Sequence, residues 1–168
     1  TNPVSPYGVS KLMAEHYCRV FTDLYELPSV VLRYFTVYGP RMRPDLAINI
    51  FTHQALRKEP LVIFGTGSRT RDFTYIDDII DANMIALNRG NGVYNIGGGH
   101  RISIQELAEK IIEITGSSSI IQYKESKKGD AEHTYANIVK AQRELGWRPA
   151  TPLDQGLKRY IEWVLTYQ

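Results

Sequence analysis

Two side chains near the start of the chain can move a proton together. Tyr7 and Lys11 stand four positions apart. On a helix that spacing puts both on one face, with Cβ atoms about 5–6 Å apart. A phenol is a weak base at neutral pH because its ordinary pKa is about 10. An ammonium one turn away favours the phenolate, the form that can take a proton from an alcohol. Tyr-x-x-x-Lys is also a common chance spacing, so an ordinary exposed pair reads the same way. The pair carries chemistry only if the surrounding elements bring a substrate to it.

Those elements alternate between helix and strand. Val9, Leu12, Met13, Tyr17, Val20, Phe21 and Leu24 recur at threes and fours, which predicts an amphipathic helix over 7–27, ended by Pro28. Val30, Val31 and Leu32 read as a buried strand ending near Tyr34. A loop from Phe35 to Asp45 follows, at the strand end where open α/β sheets bind ligands. Helices are predicted over 46–57 and 77–89, with short strands over 61–64 and 93–96 and a Gly/Ser/Thr-rich turn over 65–70. Residues 73–76 read as extended, and Asp77-Asp78 read as an acidic helix start favoured by the macrodipole. Ser103 with Glu106 spells a capping box, opening a helix that Gly116 stops. A strand over 120–123, a charged loop over 125–132, a short helix over 138–145 and an amphipathic helix over 152–167 complete the chain. The alternation argues for an α/β fold.

Composition removes several function classes. With 168 residues, 43% hydrophobic and 23% charged, the chain is globular in character and not disordered. A net charge of +2 gives no electrostatic case for nucleic acid or for an anionic membrane surface. No run approaches the roughly 20 apolar residues that span a bilayer. The single cysteine, Cys18, excludes an internal disulfide framework and fits a reducing, cytoplasmic setting; no signal peptide is read. The histidines at 16, 53, 100 and 133 are isolated, so no metal site is expected. Gly97-Gly98-Gly99 reads as a turn, and Gly65-Thr66-Gly67 lacks the third glycine of a dinucleotide loop.

The motifs taken in order say more than any one alone. They run Ser5-Pro6-Tyr7-Gly8-Val9-Ser10-Lys11, then Arg33-Tyr34-Phe35-Thr36-Val37-Tyr38-Gly39-Pro40-Arg41. Val62-Ile63-Phe64-Gly65, Arg71-Asp72-Phe73-Thr74-Tyr75-Ile76-Asp77-Asp78 and Val93-Tyr94-Asn95-Ile96-Gly97 come next, followed by Gly129-Asp130 and Leu145-Gly146-Trp147. The whole chain resembles the C-terminal half of the extended short-chain dehydrogenase/reductases that act on nucleotide sugars. It is most similar to their UDP-glucose and UDP-glucuronate 4-epimerase branches. The resemblance implies the C-terminal portion of a Rossmann-like doubly wound parallel sheet plus a smaller α/β substrate-binding domain. Residues 1–41 and 76–98 would be the remainder of the NAD-binding domain. Residues 42–75 and 99–168 would bind the nucleotide sugar.

The same resemblance assigns roles. Tyr7 is similar to the family's catalytic base, and Lys11 to the lysine that activates it and holds the nicotinamide ribose. Tyr34 and Phe35 fall beside the cofactor. Thr36 and Arg43 fall where the UDP-glucuronate branch meets the sugar carboxylate, although that branch tends to have Trp-Gly at the positions of Arg41-Met42. Phe64 is similar to the residue under the nucleotide base, Arg71 to the diphosphate clamp and Asp130 to the ribose contact. Lys127-Lys128 stand where the family often has Arg-Pro. The implied cofactor is NAD, the implied partner a UDP-sugar, and the implied assembly a homodimer. The family's Gly-rich pyrophosphate loop and the Ser or Thr that partners the tyrosine have no counterpart here, so a longer enzyme is expected. Epimerase, dehydratase and decarboxylase chemistry all stay open, because the residues that separate them are expected upstream.

Overall fold

The computed structural model describes residues 2–3, 5–126 and 132–167; Asp130, expected at the nucleotide ribose, lies outside them. Helix α1 (Pro6–Tyr25) begins at Ser5, whose hydroxyl accepts the Gly8 amide at 3.1 Å, and ends at Glu26 in the left-handed region. Pro6 fits the first helical turn because its missing N–H would be unpaired there anyway. Strand β1 (Val30–Tyr34) follows, and pairs in parallel with β6 (Gly92–Ile96), Val30 opposite Gly92 and Tyr34 opposite Ile96.

Residues 35–45 are not one loop. Val37–Tyr38 form a short strand, β2, parallel to β5 (Thr74–Tyr75). The Phe35 amide still donates to Ile96 O at 2.9 Å, whereas Thr36 O already accepts the Thr74 amide at 2.9 Å. The chain therefore leaves one ladder and joins another between Phe35 and Thr36. A two-residue ladder leaves no periodicity to read, which is why the sequence shows only a loop.

The remaining elements are α2 (Ala47–Leu56), β3 (Leu61–Phe64), β4 (Thr70–Arg71), α3 (Ile76–Ala86), β7 (Ile102–Ser103), α4 (Ile104–Thr115), β8 (Ile121–Lys124) and α5 (Leu153–Tyr167). β3 pairs with β8 in parallel, and β4 with β7 antiparallel. The Ser103–Glu106 capping box is present in both directions, and Gly116 caps α4 in the left-handed region, as read. Residues 141–145, expected in an α-helix, form a π-helical turn closed by Gly146.

Two apolar clusters form. Tyr38, Phe51, Ile63, Tyr75, Leu107 and Leu157 belong to the larger. Ile79, Tyr94, Ile96, Ala136, Leu145 and Trp147 belong to the smaller. Helix α1 enters neither, for none of its residues is buried. Its half-buried side is Leu12, Glu15, Cys18 and Thr22. Apart from Leu12, the apolar stripe read in the sequence points outward instead, with Met13 54% and Leu24 68% exposed. Among the described residues no helix is long and apolar enough to cross a membrane, and no cluster of His, Cys, Asp or Glu could hold a metal.

Candidate active site

Because Ser5 fixes where α1 begins, Tyr7 stands in its first turn and Lys11 one turn further. The Lys11 ammonium sits 5.4 Å from the centre of the Tyr7 ring, so the one-face expectation holds. Tyr7 is 72% exposed, free to meet a ligand. The helix is fixed to the sheet by ionic contact more than by apolar packing. Arg33 of β1 grips Glu15 bidentately, Nε to Oε1 at 2.6 Å and Nη2 to Oε2 at 2.5 Å. That pairing holds the Glu15 carboxyl below the usual carboxylate range. At the other end, the Thr22 and Ser29 hydroxyls lie 2.7 Å apart and tie the helix to the start of β1.

Two grooves meet at Tyr7. One, of about 620 Å³, runs between α1 and β1 and is lined by Tyr7, Lys11, Leu12, Val31, Arg33 and Tyr34 among others. The other, of about 570 Å³, lies over the crossing between ladders and includes Tyr7, Tyr34, Phe35, Thr36, Arg41 and Arg43. Tyr34 belongs to both, and its hydroxyl donates to Asn83 Oδ1 at 2.7 Å. The fold thus brings together six of the nine expected side chains: Tyr7, Lys11, Tyr34, Phe35, Thr36 and Arg43. Arg43 reaches Asp45 at 3.4 Å, both side chains well exposed. Chemically, the arrangement can exchange a proton with a hydroxyl at Tyr7 while a guanidinium meets an anionic substituent nearby.

Phe64 and Arg71 line neither groove. Phe64 ends β3 and is 40% exposed. Arg71 ends β4, its Nη1 held by Thr70 O at 2.9 Å and Glu132 O at 3.4 Å. Three features escaped the sequence reading. Arg41 lines the second groove with its backbone at φ +62, a region that non-glycine residues seldom adopt. Tyr38, on the groove floor, is buried and bonds Leu153 O at 3.3 Å, and burial pushes its phenol well up. Asp78, read only as part of a helix start, is a buried acceptor for the Ala150 and Thr151 amides at 3.0 and 3.2 Å. Its neighbour Asp77 does behave as an exposed first-turn acid, 3.4 Å from Arg159.

The sequence pattern of the NAD dependent epimerase/dehydratase family matches residues 1–97. The chain belongs to that family. Within it, the chain is 39% identical over 166 residues to an uncharacterized UDP-glucose epimerase of Bacillus subtilis, covering 97% of this chain and 52% of that protein. It superposes with a TM-score of 0.95, at 40% identity, on a UDP-glucose 4-epimerase of Thermotoga maritima solved with UDP-glucose, covering 98% of this chain and 55% of the other. It superposes with a TM-score of 0.91, at 41% identity, on a UDP-glucuronic acid 4-epimerase of Bacillus cereus solved with UDP-glucuronic acid and NAD, covering 99% and 55%. The α/β architecture is accordingly that of a Rossmann-like epimerase fragment. The chain spans about half the length of the curated relatives it matches.

Proposed function

We propose that this chain carries the proton-transfer and nucleotide-sugar machinery of an NAD-dependent epimerase acting at C4 of a UDP-sugar. The observation that carries this reading is the meeting of two grooves at Tyr7, with Lys11 on one side and Thr36 and Arg43 on the other. The substrates are UDP-glucose and UDP-galactose, or UDP-glucuronate and UDP-galacturonate. Residues 1–41 and 76–98 belong to the cofactor domain and residues 42–75 and 99–168 to the sugar-nucleotide domain. Residues 136–147 cross back to pack with Ile79 and Ile96 of the first. A homodimer through the outward face of α1 belongs to the same reading.

The residues present fit one end of NAD. An exposed phenol and ammonium suit ribose hydroxyls, Leu12 and Leu32 give an apolar wall, and the rings of Tyr34 and Phe35 stand at the junction. Held beside Tyr7, Lys11, Tyr34 and Phe35, NAD would supply a hydride acceptor and donor for C4 of the sugar. Tyr7, as phenolate, removes the proton of the C4 hydroxyl while the C4–H bond breaks, leaving a 4-keto sugar and a neutral phenol. The Lys11 ammonium, 5.4 Å from the centre of the Tyr7 ring, would hold the ribose beside it. On the return step Tyr7 gives its proton back to the C4 oxygen, so the side chain ends as it began. Arg43, together with the Thr36 hydroxyl, would face the substituent at C5, where guanidinium and carboxylate pair bidentately. Its pair with Asp45 is exposed, so trading it for a substrate carboxylate costs under about 1 kcal/mol. Phe64, Arg71 and Asp130 take the base, the diphosphate and the ribose.

The test is turnover with NAD and each UDP-sugar, the C4 epimer separated by chromatography. Tyr7→Phe should lower the rate by at least about 100-fold with UDP-sugar affinity unchanged. A variant that keeps most of its rate would overturn the assignment of Tyr7 as base. UDP binding without turnover in the unaltered protein would leave a nucleotide-sugar-binding module in place of an enzyme.

A further inference from the structure

The triple glycine after β6 and the aspartate beside Arg71 turn out to be one feature. Asp72 is fully buried. Its Oδ1 accepts the Gly98 amide at 2.6 Å and its Oδ2 the Ala136 amide at 3.0 Å. Its own amide donates to Thr134 Oγ1 at 3.4 Å. Bare backbone makes this approach feasible. A Cβ on Gly97 would fall 2.3 Å from Ala136 Cβ, and one on Gly98 would fall 2.3 Å from Phe73 O. The glycine run, read in the sequence as a turn, therefore cradles an internal carboxylate.

The carboxylate joins three segments: the turn after β4, the residues after β6 and the stretch 134–136. That last stretch continues a ladder with β4, in which the Thr70 amide donates to Glu132 O and the Thr134 amide to Thr70 O, each at 3.1 Å. Glu132 O is also one of the two carbonyls that hold Arg71 Nη1. Asp72 thus fixes, through Ala136 and Thr134, one of the anchors of the neighbouring guanidinium. Burial raises the Asp72 carboxyl above its ordinary range while the amides of Ala136 and Gly98 pull it back.

We infer that Asp72 is a positioning residue for the nucleotide diphosphate, acting by holding Arg71 in place. The inference rests on the reading of Arg71 as the diphosphate contact. Asp72→Asn keeps shape but turns an N–H donor toward an amide that needs an acceptor, freeing one of the two segments.

The test is a double-mutant cycle read by calorimetric titration with UDP and with uridine, using the unaltered protein, Asp72→Asn, Arg71→Ala and the double variant. Asp72→Asn should raise the Kd for UDP roughly tenfold and leave the Kd for uridine, which has no diphosphate, unchanged. In the Arg71→Ala background it should cost nothing further. Thr134→Val, a milder cut in the same tie, should raise the UDP Kd several-fold without affecting uridine, and it stands in if Asp72→Asn fails to fold. Equal losses for UDP and uridine, additive losses in the double variant, or an unchanged UDP Kd would each overturn the inference while leaving the nucleotide reading intact. An unaltered protein that binds no UDP would overturn the nucleotide reading, and this inference with it.

Discussion

Replacing Glu15 by Gln tests how far the ion pair with Arg33 fixes helix α1 to the sheet. The Glu15 side chain is 15% exposed and the Arg33 side chain 35%, and the contact is bidentate at 2.5 and 2.6 Å. An exposed pair contributes under about 1 kcal/mol, and a hydrogen bond to a charged group about 1.5–3 kcal/mol. Half-burial and two-point geometry place this pair between them, at about 1–2 kcal/mol. Urea unfolding of Glu15→Gln at neutral pH should show that loss. The pH dependence supplies a second signature. Arg33 holds the Glu15 carboxyl below its ordinary 4.5. Its stabilisation is therefore complete above that ordinary value and fades as pH falls through the lower folded value. Glu15→Gln should remove that part of the acid limb. Asp72 runs oppositely: its carboxyl is raised by burial above 3.8, so it contributes stability as pH falls through the raised value toward 3.8. A variant as stable as the parent, with the acid limb unaltered, would refute the argument that this pair secures α1.

Other outcomes follow from the same contacts. Gly156→Ala should cost about 1–3 kcal/mol by overpacking, measured by thermal unfolding, because a Cβ there would stand 2.1 Å from the Tyr38 hydroxyl and 2.9 Å from Tyr75 Cδ2. Arg43→Ala should raise KM for UDP-glucuronate by about tenfold and change KM for UDP-glucose little; equal changes would remove Arg43 from the sugar contact. Met13→Asp with Leu24→Asp, on the outward face of α1, should shift the light-scattering mass from two chains to one; an unchanged mass would place any self-association elsewhere.

Much of this was legible from residue types alone. Ser103, Glu106 and Gly116 state where a helix starts and stops, because caps act over three or four residues. Tyr7 and Lys11 follow once α1 is placed. The direction α1 faces was not legible, since an apolar stripe says that a face wants cover without saying which neighbour provides it. Strand β2 was hidden because two residues carry no alternation, whereas β5 falls inside the stretch 73–76 read as extended. The buried carboxylates of Asp72 and Asp78 were hidden because their partners are backbone amides far along the chain, and amides leave no mark in a sequence. The neighbourhood of Arg41 and Arg43 was visible as composition, while the left-handed backbone at Arg41 depends on how the chain turns out of β2.

The ladders have a kinetic corollary. Val30 meets Gly92, Val37 meets Thr74, and Leu61 meets Ile121. None of these is a hairpin, so each requires a long stretch of chain to close before its contacts begin to reward it. Such non-local parallel pairing slows folding. The junction at Phe35–Thr36 belongs to two of these closures at once, one through Ile96 and one through Thr74. Tyr7 therefore acquires the floor of its second groove only when both have zipped. The site should be among the last parts of the molecule to form on refolding, and among the first lost when either ladder opens.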